Sequence, residues 1–294
     1  MKPAPFEYHA PDTLAAALAL KAQSGDDAKF LAGGQSLIPA MNFRVAQPAI
    51  VLDVNRLPGL AEIRTEAGEL RLGALVRHRQ VERSDLVRVH APLLYETMPH
   101  IAHPQIRNRG TLGGSLAHAD PAAELPVVAV ALDARVRVQS TRGERWIAAG
   151  DFFVTLFTTA LTDDEMLVEV AVPALPARTG TAFVEAARRH GDYAMLGVAA
   201  VVKLDEAGRC QQARLVYLNA GDRPIQAWHA ASLLAGQTLT PAVIDAAAAE
   251  AAAHEIEPLG SVHASPEYQR HLARVLGRRA LQTAAERALA PAAQ

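Results

Sequence analysis

Two pairs of adjacent glycines, each followed closely by a serine, are the feature that most limits how this chain can fold. The first pair lies in AGGQS at 32–36, after a run at 29–32 that predicts a short strand, and the second lies in TLGGS at 111–115. Glycine lets backbone N–H groups approach a phosphate closely, and Ser and Thr hydroxyls add donors. One such loop is typical of a tight turn, but two in one chain favour a ligand that carries a diphosphate.

Neither loop follows a common nucleotide-binding pattern. The spacing G-x-G-x-x-G is absent from both segments, and so is G-x-x-x-x-G-K-[ST]. Ser36 also lies outside the G-x-S-x-G turn of hydrolases. The residues alone therefore indicate a diphosphate-bearing cofactor that neither a Rossmann fold nor a P-loop holds.

Short strands and helices alternate through the first 175 residues. Helices are predicted at 14–23, 89–101 and 121–132, strands at 29–32, 50–54, 69–74, 136–138 and 166–172, and a polar glycine-rich loop at 103–115. Pro173, Pro176 and Gly180 then predict a domain boundary. Beyond it the pattern predicts strands at 182–188, 196–204 and 213–219 and helices at 241–254 and 266–288, which is typical of an α+β module.

Composition excludes several classes of protein. The 294 residues include one cysteine, Cys210, so this chain alone holds no intrachain disulfide, four-cysteine zinc site or iron–sulfur cluster. The net charge of -2 gives no support to a nucleic-acid partner. Apolar runs such as 195–202 are too short to span a bilayer, which takes ~20 residues. The N-terminus lacks the apolar core of a signal peptide, and we expect a cytoplasmic protein without a transmembrane segment.

Four segments resemble a known family. They are AGGQSLIP at 32–39, IRNRGTLGGSLAHADPAAELP at 106–126, RRHGDYAMLGVAA at 188–200 and SPEYQRHLARVLGRRAL at 265–281. Together they are similar to the FAD-binding medium subunit of molybdenum hydroxylases, the medium-chain family of xanthine dehydrogenase and carbon monoxide dehydrogenase. The resemblance covers essentially the whole chain.

The resemblance implies an α+β fold of two domains. Residues 1–176 are expected to form an FAD-binding domain of the vanillyl-alcohol-oxidase (PCMH) type, with subdomains at about 1–55 and 56–176. Residues 177–294 are expected to form a smaller α+β domain similar to the C-terminal domain of the carbon monoxide dehydrogenase flavoprotein. That domain should contain a three-stranded antiparallel sheet and helices.

The resemblance also implies a role as the oxidoreductase component of a heterotrimer. A large subunit would carry the molybdenum cofactor and hydroxylate the substrate, and a small subunit would carry two [2Fe–2S] clusters. FAD in this chain would pass electrons from those clusters to NAD, a quinone or another acceptor, with no catalytic residue of its own. A dimer of heterotrimers is the expected assembly.

Two other functions fit the sequence less well than this role. A free-standing flavin oxidase of the same fold would need a large substrate domain, which the sequence lacks, and no obvious His or Cys is present to bind flavin covalently. A binding module without FAD would have no need for two phosphate loops. The flavoprotein subunit is therefore the preferred prediction.

The resemblance implies FAD contacts across the whole N-terminal domain and one strand beyond it. These residues are Lys29, Phe30, Leu31, Ala32, Gly33, Gly34, Gln35, Ser36, His103, Thr111, Gly113, Gly114, Ser115, Asp120, Glu124, Leu167, Asp192 and Tyr193. The two glycine loops would wrap the diphosphate, and Glu124, with Asp120 as its competitor, would accept a hydrogen bond from a hydroxyl on the ribose or adenine side. Tyr193 would cover the isoalloxazine ring.

Structural alternatives stay open for several of these residues. Phe30 and Leu31 could equally be core strand residues, and a buried position in a strand is the commoner explanation for Leu167. Glu124 could be a surface acid at a helix end. Asp192 could cap a turn, and Tyr193 could be an ordinary aromatic residue on a strand.

Charged groups around the second loop leave similar choices. Arg107 and Arg109 could balance the diphosphate or form ion pairs that brace the loop. The pairs His100-x-x-His103 and His118-x-Asp120 are weak signals for a metal, and none is predicted.

Overall fold

The computed structural model describes residues 1–290. The strands are β1 (Glu7–His9), β2 (Ala28–Leu31), β3 (Ile50–Asp53), β4 (Ile63–Glu66), β5 (Glu69–Gly73), β6 (Arg135–Ser140), β7 (Gly143–Ala148), β8 (Phe153–Thr155), β9 (Thr158–Thr159), β10 (Met166–Pro173), β11 (Thr179–Ala187), β12 (Ala194–Leu204), β13 (Cys210–Leu218) and β14 (Ile225–Gln226). The helices are α1 (Leu14–Ser24), α2 (Leu37–Asn42), α3 (His78–Glu82), α4 (Asp85–His90), α5 (Pro92–Thr97), α6 (Pro104–Arg107), α7 (Leu112–His118), α8 (Glu124–Ala131), α9 (Ala149–Phe152), α10 (Trp228–Leu234), α11 (Pro241–Glu250) and α12 (Pro266–Leu289).

A small parallel sheet in the order β1-β3-β2 begins the N-terminal domain. The hydroxyl of Thr13 accepts a hydrogen bond from the N–H of Ala16 at 3.2 Å and so caps α1. Ala17 and Leu18 of α1 are buried in one cluster with Val54 and Leu57, which follow β3. This packing holds the end of β2, where the first glycine pair begins.

A five-stranded antiparallel sheet in the order β4-β5-β10-β6-β7 forms the rest of the N-terminal domain. Its central strand β10 is buried along its length except at Pro173, and all eight residues of α8 are buried. Helices α5, α7 and α8 contribute to the same core, which includes Leu116, Leu125 and Val170. The helix that carries the second glycine pair is therefore packed into the largest core of the molecule.

The smaller C-terminal domain contains an antiparallel sheet in the order β11-β12-β13-β14. Alternate residues of β12 enter two different cores, with Leu196 and Val198 facing α10–α12 and Ala199 and Val201 facing the N-terminal domain. Both faces of β12 are covered, which explains its continuous apolar sequence. The α+β fold with a smaller C-terminal domain is confirmed, and β14 adds a two-residue edge strand to the three predicted.

Polar contacts also join the two domains. The carboxylate of Glu96 in α5 accepts hydrogen bonds from the N–H of Phe183 at 2.8 Å and from the guanidinium of Arg287 at 2.5 Å. Phe183 lies in β11 and Arg287 in the last turn of α12. Helix α5 of the N-terminal domain thus helps to fix the position of the C-terminal sheet.

Two predictions of local structure are wrong. The helix predicted at 89–101 is divided, because Pro92 begins α5 and the preceding Ala91 has a non-helical φ of -141°. The segment 103–115, predicted as a loop, contains α6 and the first turn of α7, which starts at the N-cap Thr111. Strand β7 and helix α10 were not predicted. Within residues 1–290 no helix is both long and apolar enough to cross a membrane.

Candidate functional site

The two glycine loops predicted from the sequence lie against each other. The first glycine loop, residues 32–36, joins β2 to α2, and the second glycine loop, residues 111–115, opens α7. A Cβ atom added to Gly33 would collide with the carbonyl oxygen of Arg109 and lie 2.8 Å from Cα of Gly110. The structure therefore brings the two predicted segments into one site.

The first glycine loop presents four consecutive backbone N–H groups, at positions 33–36, without an acceptor among the described residues. Gly34 has a φ of 73°, a left-handed conformation that glycine adopts without strain. The side chain of Gln35 turns back and donates to the carbonyl of Gly33 at 3.0 Å. Ser36 occupies the N-cap of α2 but makes no capping hydrogen bond. The loop thus offers four consecutive donors without a protein acceptor, and such backbone N–H groups can bind phosphate oxygens.

The second glycine loop has already used most of its N–H groups. Leu112 donates to the carbonyl of Val76 and Gly113 to that of Ala74, both at 2.9 Å. The next two amides, at positions 114 and 115, donate to the hydroxyl and the carbonyl of Thr111 at 3.1 and 3.0 Å. These bonds start α7 and fix it to the segment after β5.

Gly113 of the second loop and Gly110 just before it are required by close packing. A Cβ on Gly113 would lie 2.6 Å from the Cβ of Ala74 and 2.8 Å from its backbone. A Cβ on Gly110 would lie 2.9 Å from the ring of His78. Since these neighbours are backbone or buried groups, a side chain at either position would displace the loop.

His78, which the sequence analysis did not identify, lies behind the second glycine loop. Its N–H donates to the carbonyl of Gly110 at 2.9 Å, and its Nε2 lies 3.0 Å from the carbonyl of Thr111. Burial lowers the pKa of His78 to about 4, so the ring is neutral at neutral pH. Because a carbonyl only accepts, the single ring proton lies on Nε2.

The two arginines near the second loop have different surroundings. Arg107 is buried, forms an ion pair with Glu82 at 3.2 Å and donates to the carbonyls of Ile101 and Ala102 at 3.0 Å. Arg109 is exposed and forms no ion pair within residues 1–290. Arg107 therefore braces the chain that leads into the loop, while the charge of Arg109 is available to an anion.

Helix α7 connects the glycine loops to a second group of predicted residues. Its seven residues span about 10 Å, and the chain then turns through Ala119, which has a φ of 50°. The carboxylate of Asp120 accepts from the N–H of Ala122 at 2.9 Å, which orders the turn into α8. The two groups of residues are thus held at a fixed spacing by one helix.

Glu124, the first residue of α8, is buried with 8% of its surface exposed and is not a surface acid. Burial raises its pKa to about 7, and the negative charge of Glu185 acts in the same direction. Glu185 lies 3.3 Å from the Nδ1 of His100, and this hydrogen bond raises the pKa of His100. Glu124 can therefore carry a proton near neutral pH and donate as well as accept a hydrogen bond.

The turn at 188–193 brings three further predicted residues together. A Cβ on Gly191 would lie 2.6 Å from the ring of His103, and Gly191 has a φ of 86°. Tyr193 is 71% exposed. Desolvation near the hydroxyl, and then the charges of Asp120 and Glu124, raise the pKa of Tyr193. His103, Asp192 and Tyr193 thus lie at one edge of the site, close to the start of α8.

Asn219 fixes the strand that follows Tyr193, and the sequence analysis missed it. Its N–H donates to the carbonyl of Pro121 at 2.9 Å, and its side-chain amide donates to Ala194 at 2.8 Å and Met195 at 3.2 Å. The fully buried Gln269 of α12 donates to the carbonyls of Met195 and Asn219 at 2.9 and 3.0 Å. The N–H of Asn219 thus joins the C-terminal domain to the segment between α7 and α8, while the two side-chain amides hold the start of β12.

The remaining predicted residues lie in or beside strands. Phe30 packs against the small N-terminal core, Leu31 is half-buried and Leu167 is buried in β10. Lys29 is exposed and lies 4.0 Å from a carboxylate oxygen of Asp26. The side chain of Leu167 is therefore part of the core.

The residues of the two glycine loops fit a diphosphate-bearing cofactor. The first loop has free N–H groups, close packing keeps side chains out of the second, and Arg109, shortly before the second loop, is exposed and forms no ion pair within residues 1–290. Within residues 1–290 no three His, Cys, Asp or Glu side chains come together in a way that could hold a metal ion.

Two family descriptions match almost the whole chain. Residues 4–175 match the FAD binding domain in molybdopterin dehydrogenase, and residues 181–284 match the CO dehydrogenase flavoprotein C-terminal domain.

Similar proteins agree with these matches. The 6-hydroxypseudooxynicotine dehydrogenase complex subunit alpha of Paenarthrobacter nicotinovorans is 48% identical and aligns over 98% of this chain and 97% of its own length. The carbon monoxide dehydrogenase medium chain of Hydrogenophaga pseudoflava is 36% identical over 97% of this chain and 98% of its own. A solved structure of carbon monoxide dehydrogenase from Hydrogenophaga pseudoflava superposes with a TM-score of 0.95 at 38% identity, covering 98% of this chain and 99% of that one.

Proposed function

This chain belongs to the FAD-binding medium subunits of the molybdopterin-dependent dehydrogenases, and we propose that it carries electrons between an iron–sulfur subunit and an external acceptor. The observation that carries the proposal is the pair of abutting glycine loops, one with four free N–H groups, in a chain with the fold of a carbon monoxide dehydrogenase subunit. FAD, when bound, supplies a carrier that accepts and releases one or two electrons. NAD, a quinone or another acceptor takes them.

We propose that the diphosphate of FAD lies between the two glycine loops. The N–H groups of Gly33, Gly34, Gln35 and Ser36 donate to it, and Arg109 offsets its charge. The hydroxyls of Ser36 and Ser115 add donors, while Ala32, Thr111, Gly113 and Gly114 form the wall. Lys29, Phe30, Leu31 and Leu167 contribute backbone or apolar contacts from the strands.

We assign the other end of the cofactor to the edge formed by His103, Asp192 and Tyr193. Glu124 and Asp120 lie between this edge and the loops, where a carboxyl group accepts a hydrogen bond from a cofactor hydroxyl. The exposed ring of Tyr193 covers the isoalloxazine and limits access of the acceptor. Asn219 and Gln269 hold the strand on which Tyr193 depends.

The proposed partners are a large molybdenum-cofactor subunit and a small subunit with two [2Fe–2S] clusters, in a dimer of heterotrimers. The relatives named above are a subunit of a dehydrogenase complex and a medium chain. In this proposal the large subunit selects the substrate, and this chain only carries electrons. We also propose that the two domains meet at 176–177, between the end of β10 and the start of β11.

Gentle purification from the native host, followed by a visible spectrum and metal analysis, tests the role. A flavin spectrum with iron and molybdenum in co-eluting subunits is the expected result. In a complex that carries Gly33→Ala, iron and molybdenum should stay and the flavin absorbance should fall. A flavin spectrum on the isolated chain that an organic substrate bleaches would instead identify a free-standing oxidase, and a colourless chain would identify a binding module.

A further inference from the structure

A series of hydrogen bonds outside both glycine loops connects one loop to the chain entering the other. The guanidinium of Arg77, just before α3, donates through Nη1 to the carbonyl of Arg109 at 2.5 Å and through Nη2 to Oδ1 of Asn55 at 2.6 Å. The side-chain amide of Asn55 donates to the carbonyl of Ala32 at 2.8 Å and to that of Leu31 at 3.3 Å. Two side chains thus join the start of the first loop to the approach to the second.

The Asn55 end of this series is held in place by an ionised carboxylate. Oδ1 of Asp53 accepts from the N–H and the side-chain amide of Asn55 at 2.9 and 2.7 Å, and its Oδ2 accepts from the hydroxyl of Tyr8 at 2.7 Å. Burial raises the pKa of Asp53, but these hydrogen bonds outweigh burial and leave the pKa below its ordinary value. The orientation of the Asn55 amide is therefore fixed, with its oxygen towards Arg77.

The carbonyl that Arg77 holds is the same carbonyl against which Gly33 packs. Its position therefore decides how closely the first loop approaches the second. Only arginine has two donor nitrogens in a rigid plane that reach two acceptors at once, whereas lysine offers a single point charge. Arg77 and Arg109 also lie close enough that the charge of Arg109, after burial, lowers the pKa of Arg77. Within residues 1–290 neither has a carboxylate in ion-pair range, so a bound anion would relieve their repulsion.

We propose that Arg77, acting through Asn55, is a positioning residue that sets the distance between the two glycine loops and thereby makes the site select a diphosphate over a monophosphate. A diphosphate takes contacts from both loops at one fixed separation. A monophosphate takes contacts from one loop and does not depend on that separation. The inference rests on the proposed FAD site.

The test compares the affinities of the full-length chain for FAD and FMN, by flavin fluorescence, in matched variants. Arg77→Lys and Asn55→Asp should each weaken FAD binding by about tenfold, the loss of roughly one hydrogen-bonded link, and change FMN binding by less than about twofold. Asn55→Asp keeps the acceptor for Arg77 but removes the side-chain donors to Ala32, Leu31 and Asp53. Arg83→Lys, an exposed change at the end of α3, is the control and should change neither affinity.

A double variant separates a shared link from two independent effects. If Arg77 and Asn55 act as one connection, Arg77→Lys with Asn55→Asp should weaken FAD binding no more than the stronger single change. If the double variant loses FAD affinity by the product of the two single losses, the two residues act independently and the inference is overturned. Equal losses of FAD and FMN affinity with a lower melting temperature would show a general structural role and overturn it as well. If the wild-type chain binds FAD and FMN equally weakly, the proposed function fails. If it prefers FAD and the variants keep that preference, only the positioning role fails.

Discussion

The two glycine loops have nearly the same sequence pattern but different hydrogen bonding. In the first loop the N–H groups at 33–36 have no protein acceptor among the described residues, while in the second those at 112–115 bind carbonyls or a hydroxyl of the chain itself. Gly113 of the second loop packs against Ala74, and Gly110 just before the loop packs against His78. The same pattern, a glycine pair followed by serine, therefore has two different roles. In one loop it leaves N–H groups free to donate to a ligand, and in the other it lets a helix pack closely against the chain after a strand.

The difference predicts that substitutions in the second loop mainly lower stability and that those in the first mainly lower affinity. The largest effect is expected for Gly113→Ala, because the new Cβ would overlap the backbone of Ala74. The free energy of unfolding should fall by about 3 kcal/mol. Urea unfolding measures this, and Gly150→Ala, where a Cβ meets nothing within 4 Å, is the control. If Gly113→Ala were as stable as the wild type, close packing against Ala74 would not be the reason for glycine at this position.

Acid should weaken the support of the second loop through His78. Its pKa is about 4 in the folded chain and ~6.5 in the unfolded chain, so the unfolded chain binds a proton that the folded one does not. Stability from this group is therefore complete above pH ~6.5 and falls by about 3 kcal/mol as the pH drops to ~4. The variant His78→Gln keeps a donor towards Thr111 but has no titrating ring, so its stability should not show this fall with acid. The free energy of unfolding of both proteins, measured between pH 4 and 7, checks the difference. The same dependence of that free energy on pH in both proteins would contradict the role of His78.

In the first loop, Gly33→Ala should reduce affinity more than stability. Its Cβ would push the loop from the carbonyl of Arg109 and misplace the free N–H groups. We expect FAD to bind about thirtyfold more weakly, equivalent to ~2 kcal/mol, with a smaller change in melting temperature than for Gly113→Ala. Flavin titration and thermal unfolding of both variants give the comparison directly. If the loss of FAD affinity relative to the fall in melting temperature is the same in both variants, the two loops do not differ in role.

The smallest expected effect is that of Ser36→Ala. Its hydroxyl makes no capping hydrogen bond with α2, so its removal costs the fold little. Loss of one donor to the cofactor should weaken FAD binding about fivefold, or ~1 kcal/mol, at unchanged melting temperature. An unaltered FAD affinity would exclude the hydroxyl from the site.

The sequence predicted what is local in the chain. The glycine pairs and the long C-terminal helix have signals within a few residues of each other, such as Ser265 before Pro266 at the start of α12. Pro92 is also a local signal, for the division of the helix predicted at 89–101, but the sequence analysis did not use it. Strand β7 was missed because its polar residues face solvent at a sheet edge.

The supports of the site were not predictable in the same way. Arg77 meets Asn55 and Arg109 across 22 and 32 positions, and Asn219 meets Ala194 across 25. Such pairs depend on the sheet registers and on how the two domains pack, and no local pattern encodes them. The burial of Glu124, which decides its pKa, likewise follows from the C-terminal sheet that covers α8.

Hydrogen exchange of the chain before and after loading with FAD tests the central claim most directly. The amides at 33–36 should exchange freely without FAD and become protected by at least about tenfold with it. The amides at 112–115 should be protected in both states, because they already donate within the protein. Protection gained only at 112–115, with 33–36 unchanged, would contradict the account and reverse the roles of the two loops.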